Sequence, residues 1–116
     1  MQTSPLDGAW QLITGECMDN GKMLDYAAAG ITSRKLIGDG HFSFISYQQG
    51  KFWSSGSGRF RLSGTDYVES PDMGTYPPEA FRDYAFKARV DGDEWHNERW
   101  EDGVRVEYEL WRRIGA

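Results

Sequence analysis

The sequence predicts an all-β domain, an antiparallel up-and-down β-barrel of about eight strands with one short helix. Three observations predict it. Turn signals fall at short, regular intervals, with no internal repeat, low-complexity tract or dividing linker. The segments between them are of strand length and set related side chains two residues apart, on one face of an extended chain. Gly8-Ala9-Trp10 opens the first apolar stretch and Trp111-Arg112-Arg113 closes the last. The first and last strands are therefore expected to meet, with a guanidinium stacked over an indole at the closed end.

The elements follow in order. Residues 8–14 read as the first strand, with Trp10, Leu12 and Thr14 on one face. Residues 24–29 are the one plausible helix, a short Ala-rich turn ended by Gly30. Residues 32–37 and 41–48 form the clearest hairpin, joined at Gly38-Asp39-Gly40, where glycine supplies the positive φ of a tight turn. Residues 52–62 and 66–70 form a second hairpin through Ser63-Gly64-Thr65. Gly56, Gly58, Phe60 and Leu62 share its inner phase, and glycine inside a strand marks a bend or a close approach. Residues 71–78 read as a loop, because Pro77-Pro78 cannot occupy a central strand. Residues 82–90, 94–101 and 104–114 form a closing meander with turns at Asp91-Gly92-Asp93 and Asp102-Gly103.

A length of 116 residues is one domain, 1–116, large enough for its own core and for one compact site. A net charge of −5 disfavours a nucleic-acid partner, which requires concentrated positive surface. The lone Cys17 excludes an internal disulfide. No basic segment followed by a long apolar run opens the chain, so the expectation is a cytoplasmic protein without a membrane partner. Two His and one Cys scattered over distant elements fit no metal-ligand spacing, and no motif assigns His41 or His96 to haem, so neither metal nor other cofactor is expected. An aromatic content of 15% either fills a core or lines an apolar cavity, and in a barrel these uses compete for one interior.

A set of short stretches then resembles the calycin superfamily, the lipocalins, fatty-acid-binding proteins and small bacterial lipocalin-like domain proteins. These are Leu6-Asp7-Gly8-Ala9-Trp10-Gln11-Leu12, Lys35, Gly40-His41-Phe42, Gly56-Ser57-Gly58-Arg59-Phe60, Tyr67-Val68-Glu69, Gly92-Asp93-Glu94-Trp95 and Glu109-Leu110-Trp111-Arg112-Arg113. The resemblance implies a lipocalin-like barrel with a ligand-sized cavity. Fatty-acid-binding proteins offer Arg-x-Tyr from the last strand to a carboxylate, whereas this chain reads Glu109-Leu110-Trp111, which speaks against an anionic lipid anchor. The calycin pattern also implies that Trp111 and Arg113 face inward, with Glu109, Glu107 and Arg105 on the same face. Val104, Val106, Tyr108 and Leu110 would then form an outward apolar row, the mark of a partner surface and the basis for expecting a homodimer.

Three residues are candidates for proton transfer. Glu69 stands two after Tyr67, so a carboxylate and a phenol share one face and could share a proton in a partly dry cavity. His41 is in phase with Tyr47, although a His directly after a Gly turn is also a common solvated hairpin end. His96 stands two before Glu98, while Trp95, Asn97 and Arg99 form the other face of that strand, and either face could be the inner one. Tyr47, Tyr67, Phe60, Trp95, Trp111, Arg113 and Glu109 are the candidate ligand-binding residues. Two functions follow. One is a barrel that holds an apolar or amphipathic metabolite between aromatic walls. The other is a small cofactor-free enzyme, an isomerase, cyclase or dehydratase, in which Glu69, His96 or His41 moves a proton.

Overall fold

Extended segments carry most of the chain in the structure, a computed structural model that describes residues 3–115. In order these are β1 (Gly8–Asp19), β2 (Lys22–Asp25), β3 (Ile31–Gly38), β4 (His41–Gln48), β5 (Lys51–Ser63), β6 (Asp66–Gly74), β7 (Tyr84–Asp91), β8 (Glu94–Glu101) and β9 (Val104–Arg113). Every pairing is antiparallel, and the order runs β1-β3-β4-β5-β6-β7-β8-β9 before β9 returns to β1. Eight strands therefore close a barrel, with β2 added as a short hairpin strand on the far end of β1.

Turn chemistry sets the register locally. At the β3–β4 turn Asp39 and Gly40 take φ of 50° and 78°, and Asp102 and Gly103 repeat the pattern with 50° and 77° between β8 and β9. Two consecutive positive φ values match the right-handed twist of paired strands, which explains these tight two-residue turns. The close approach read from glycine in β5 is also present. A Cβ on Gly58 would stand 2.2 Å from the Ser70 carbonyl oxygen, so only glycine lets β6 cross there.

The first and last strands meet as expected. Trp10 pairs with Arg113, and the guanidinium carbon lies 4.3 Å from the indole centroid. Arg113 also donates to the carbonyls of Asp7 and Pro5, tying the N-terminal segment across this end. Leu6 and Trp10 are fully buried there, and the core continues through Ile37, Phe42, Phe60, Tyr67, Phe86 and Trp95. Aromatic edges meet faces at Trp95, with Trp10 at 5.4 Å and Tyr67 at 5.2 Å between ring centres, while Trp111 stacks on it at 6.1 Å.

Four local expectations are corrected. Residues 24–29 are not a helix: Leu24 and Asp25 end β2, and a turn follows. The Asp25 carboxylate accepts the Ala28 N–H while buried Tyr26 anchors the segment, leaving too few residues to propagate a helix. The one helical element among the described residues is a 3-10 turn at Pro78–Ala80. Residues 71–74 extend β6 instead of opening a loop. Pro71 is tolerated because β6 has no β7 partner beyond Glu69, so it stands on a free edge.

The other two corrections come from β-bulges, each of which moves later side chains to the opposite face. In β1 a register shift leaves Ile13 opposite no residue, so Thr14 pairs with Leu110 and leaves the Trp10 and Leu12 face. In β9, Glu107 pairs with Arg99 and Arg105 with Trp100, so Val106 is the extra residue. Arg105 consequently lies outside, bonded to Glu98 and Glu16 and over the Tyr108 ring, not inside with Glu107. Val106 is buried instead of exposed, and Tyr108 and Leu110 are half-buried. Only Val104 of the expected outward row stands open.

Candidate functional site

A cavity of about 180 Å³ opens inside the barrel on the side of the core away from Leu6, reaching into the lumen from a partly open mouth. Its walls include the aromatic rings of Tyr26, Phe44, Trp53, Tyr76, Phe86 and Trp111. Its polar groups are Ser33, Lys35, Ser46, Ser54, Glu69, Glu107 and Glu109. Tyr76 comes from the β6–β7 connection and lies across β5, where a Cβ on Gly56 would stand 2.9 Å from its hydroxyl. Glycine at that position lets the ring reach the cavity wall.

The polar groups form a layer between the aromatic core and the cavity. Alternation along β3 places Ile31, Ser33, Lys35 and Ile37 on the buried face, so Lys35 enters the lumen among apolar neighbours. Its Nζ donates to Glu69 Oε2 at 2.8 Å, and the Tyr67 hydroxyl donates to the same oxygen at 2.7 Å. The ammonium also faces the rings of Trp111 at 4.8 Å and Trp95 at 5.1 Å. Burial works to lower the Lys35 pKa, but Glu69 and Glu109 outweigh it and hold the amine above its ordinary value, charged. Burial, with Glu69 adding to it, pushes Tyr67 well above the ordinary phenol range, so it acts as a donor.

Two further carboxylates enter from β9. Glu107 accepts from Arg99 Nε at 2.9 Å, and Glu109 accepts from Trp111 Nε1 at 3.1 Å. Burial raises both; Glu109 adds to the shift of Glu107, which is pushed up to about 7 although Arg99 opposes it, and Glu69 adds to the shift of Glu109 although Lys35 opposes it. Near neutral pH the two carboxyls together therefore hold a proton that an ordinary pair would have released.

That proton has a consequence for stability. The folded chain keeps it to about pH 7, whereas the unfolded chain releases it near the ordinary value of 4.5. Stability from this source is complete below the unfolded value and is lost as pH rises through the folded one. Between about pH 5 and pH 8 the loss is expected to be on the order of 2 kcal/mol. Urea unfolding midpoints across that range check it: Glu107→Gln should flatten the slope, and equal slopes in variant and parent would refute the assignment.

The structure brings together Glu69, Tyr67, Trp111 and Glu109 of the residues singled out in the sequence. Phe60 and Trp95 are in the adjoining core, and Arg113 is at the opposite, closed end over Trp10. Tyr47 is on the outside, 40% exposed and packed on Phe52. His41 is an exposed hairpin end bonded to the Asp39 carbonyl. His96 lies on the outer face of β8 against the Tyr108 hydroxyl, because Trp95 and Asn97 take the inner positions. Sequence reading passed over Lys35, Tyr26, Trp53 and Tyr76 as site residues. A readable signal existed for Lys35 alone, a lysine in phase with Ile31 and Ile37 on a strand that alternates cleanly.

Among the described residues no group of His, Cys, Asp and Glu is arranged to hold a metal ion, and no helix is long and apolar enough to cross a membrane. Fold and site together define a closed eight-stranded antiparallel barrel with a partly open, ionisable lumen. Comparison with family models, curated proteins and solved structures found no match.

Proposed function

We propose that this barrel binds a small amphipathic molecule in its lumen, in the manner of a lipocalin-like calycin. The observation that carries the reading is the cavity itself: an aromatic-walled space of about 180 Å³ that ends on an ordered layer of Lys35, Glu69, Glu107 and Glu109. A site of roughly 150 Å³ accepts benzene, so the ligand has a compact apolar body, with its polar end toward the charged layer. Keeping so many ionisable groups inside a small barrel costs stability, which a pure packing role does not explain.

The second reading, acid–base catalysis without a cofactor, is favoured by one arrangement: buried Glu109, raised above the ordinary carboxyl range, and Glu107, pushed up to about 7, stand beside the Lys35, Glu69 and Tyr67 cluster. On that reading Glu69 is the base, since it lies at the lumen, whereas His41 and His96 do not.

The test is native mass spectrometry of the purified protein followed by the same sample denatured, with tryptophan fluorescence titrations of the emptied barrel. A retained small molecule released on denaturation, or saturable quenching of Trp111 and Trp53 by small aromatic probes, is the expected result. An empty protein whose fluorescence responds to no neutral, cationic or anionic probe would overturn the binding reading.

A further inference from the structure

The charged groups of the lumen do not balance. Lys35 is engaged by Glu69 and Arg99 by Glu107, each pair in direct contact. Glu109 lines the same cavity, is buried to nine-tenths, and forms no direct ion pair among the described residues: the Trp111 indole that donates to it is neutral, and Lys35, whose charge acts on it, is bonded to Glu69. A carboxylate so placed in an aromatic cavity is left to hold a proton or to meet a cation from outside.

We infer that the ligand is an amphipathic organic cation, a primary or secondary amine on a small apolar body, with its ammonium taken by Glu109 beside Glu107. The inference rests on the binding reading above and names the class of molecule bound. An anionic ligand would meet Glu69, Glu107 and Glu109 with the lumen ammonium already paired, so its carboxylate would be repelled. A neutral ligand would leave Glu109 with only the charge of Lys35, which is already bonded to Glu69. An ammonium supplies a charge of its own, and the ring faces of Tyr26, Trp53 and Tyr76 around the cavity add cation–π attraction along its path.

The groups that face Glu109 set the pH dependence. They are Lys35 on β3, Glu69 and Tyr67 on β6, Arg99 on β8 through Glu107 on β9, and Tyr26 after β2 with Cys17 on β1. Lys35 and Arg99 stay protonated, as do the phenols and the thiol, whose pKa values burial raises. The carboxyl pair is therefore the part of this group that changes charge near neutrality, and amine binding displaces its proton.

Three probes of one shape test the inference on the full chain: benzylamine, benzyl alcohol and benzoate, titrated at about pH 8 and followed by tryptophan fluorescence and calorimetry. Benzylamine is expected to bind at least about tenfold more tightly than benzyl alcohol, with benzoate weakest. Glu109→Gln should bring the amine to within about threefold of the alcohol, both measured on that variant. Should that variant fail to fold, the parent protein still decides: amine affinity falls from about pH 8 to pH 5 and alcohol affinity does not. Alcohol or benzoate binding as tightly as the amine, a retained preference in Glu109→Gln, or a flat amine profile would each overturn the inference and leave lumen binding intact. Binding of none of the three would overturn both.

Discussion

Trp10→Ala is expected to lower the stability of the folded chain by about 4 kcal/mol, within the range for deleting a large buried aromatic. The indole is fully buried, meets Trp95 edge-on at 5.4 Å, and carries the Arg113 guanidinium 4.3 Å from its centre. Its Nε1 donates to the Leu6 carbonyl at 2.8 Å, so the substitution leaves both a void and an unsatisfied buried acceptor. Because Trp10 pairs with Arg113, the loss falls on the seam where β1 and β9 close the barrel. Urea unfolding monitored by circular dichroism measures it. A loss below about 1 kcal/mol would show that the closed end does not depend on this stack.

Lys35→Met is the second large effect, with an expected loss of about 3 to 5 kcal/mol at pH 8. Lys35 is 3% exposed and its ammonium is bonded at 2.8 Å to Glu69, which without it keeps only the Tyr67 phenol as a side-chain donor. A buried carboxylate stripped of its cation is costly, whereas a buried neutral amide is much less so. Adding Glu69→Gln to Lys35→Met should therefore recover more than half of the loss. Lowering the pH to about 5 should also shrink it, because the unpaired carboxyl takes up a proton. Chemical denaturation of the two variants at both pH values gives the comparison. An additive double variant, with no recovery, would mean that the ion pair is energetically idle.

Much of the barrel was legible because its signals are local. Gly38-Asp39-Gly40 and Asp102-Gly103 announce tight turns wherever they stand, since positive φ is a property of a few residues and not of a fold. The inner phase of Gly56, Gly58, Phe60 and Leu62 was readable because a strand alternates strictly between its faces. The short run at 24–29 misled for a complementary reason: alanines favour a helix, but a turn held by Asp25 and anchored by Tyr26 outweighs a weak propensity over so few residues.

The site was legible only in part. Tyr67 and Glu69 are neighbours in sequence, so their shared face and proton were readable. Lys35 is 34 residues from Glu69, and no local pattern connects them. Glu107 and Glu109 were readable as inner residues of the last strand, but the bulge at Val106 that turns Arg105 outward has no turn residue to betray it. Tyr76 reaches the cavity from a connection whose proline-rich sequence says only that it is not a central strand.

The sequence by itself determined the all-β class, the hairpin turns, the approximate number of strands and the meeting of Trp10 with the last strand, because alternation and turn geometry are written within a few residues. Tertiary structure decided which ionisable groups share the lumen. Barrel closure brings β3, β6, β8 and β9 around one space, and single-residue bulges choose the face that each later side chain takes. Those contacts depend on register across the whole sheet, which no short stretch of this chain encodes.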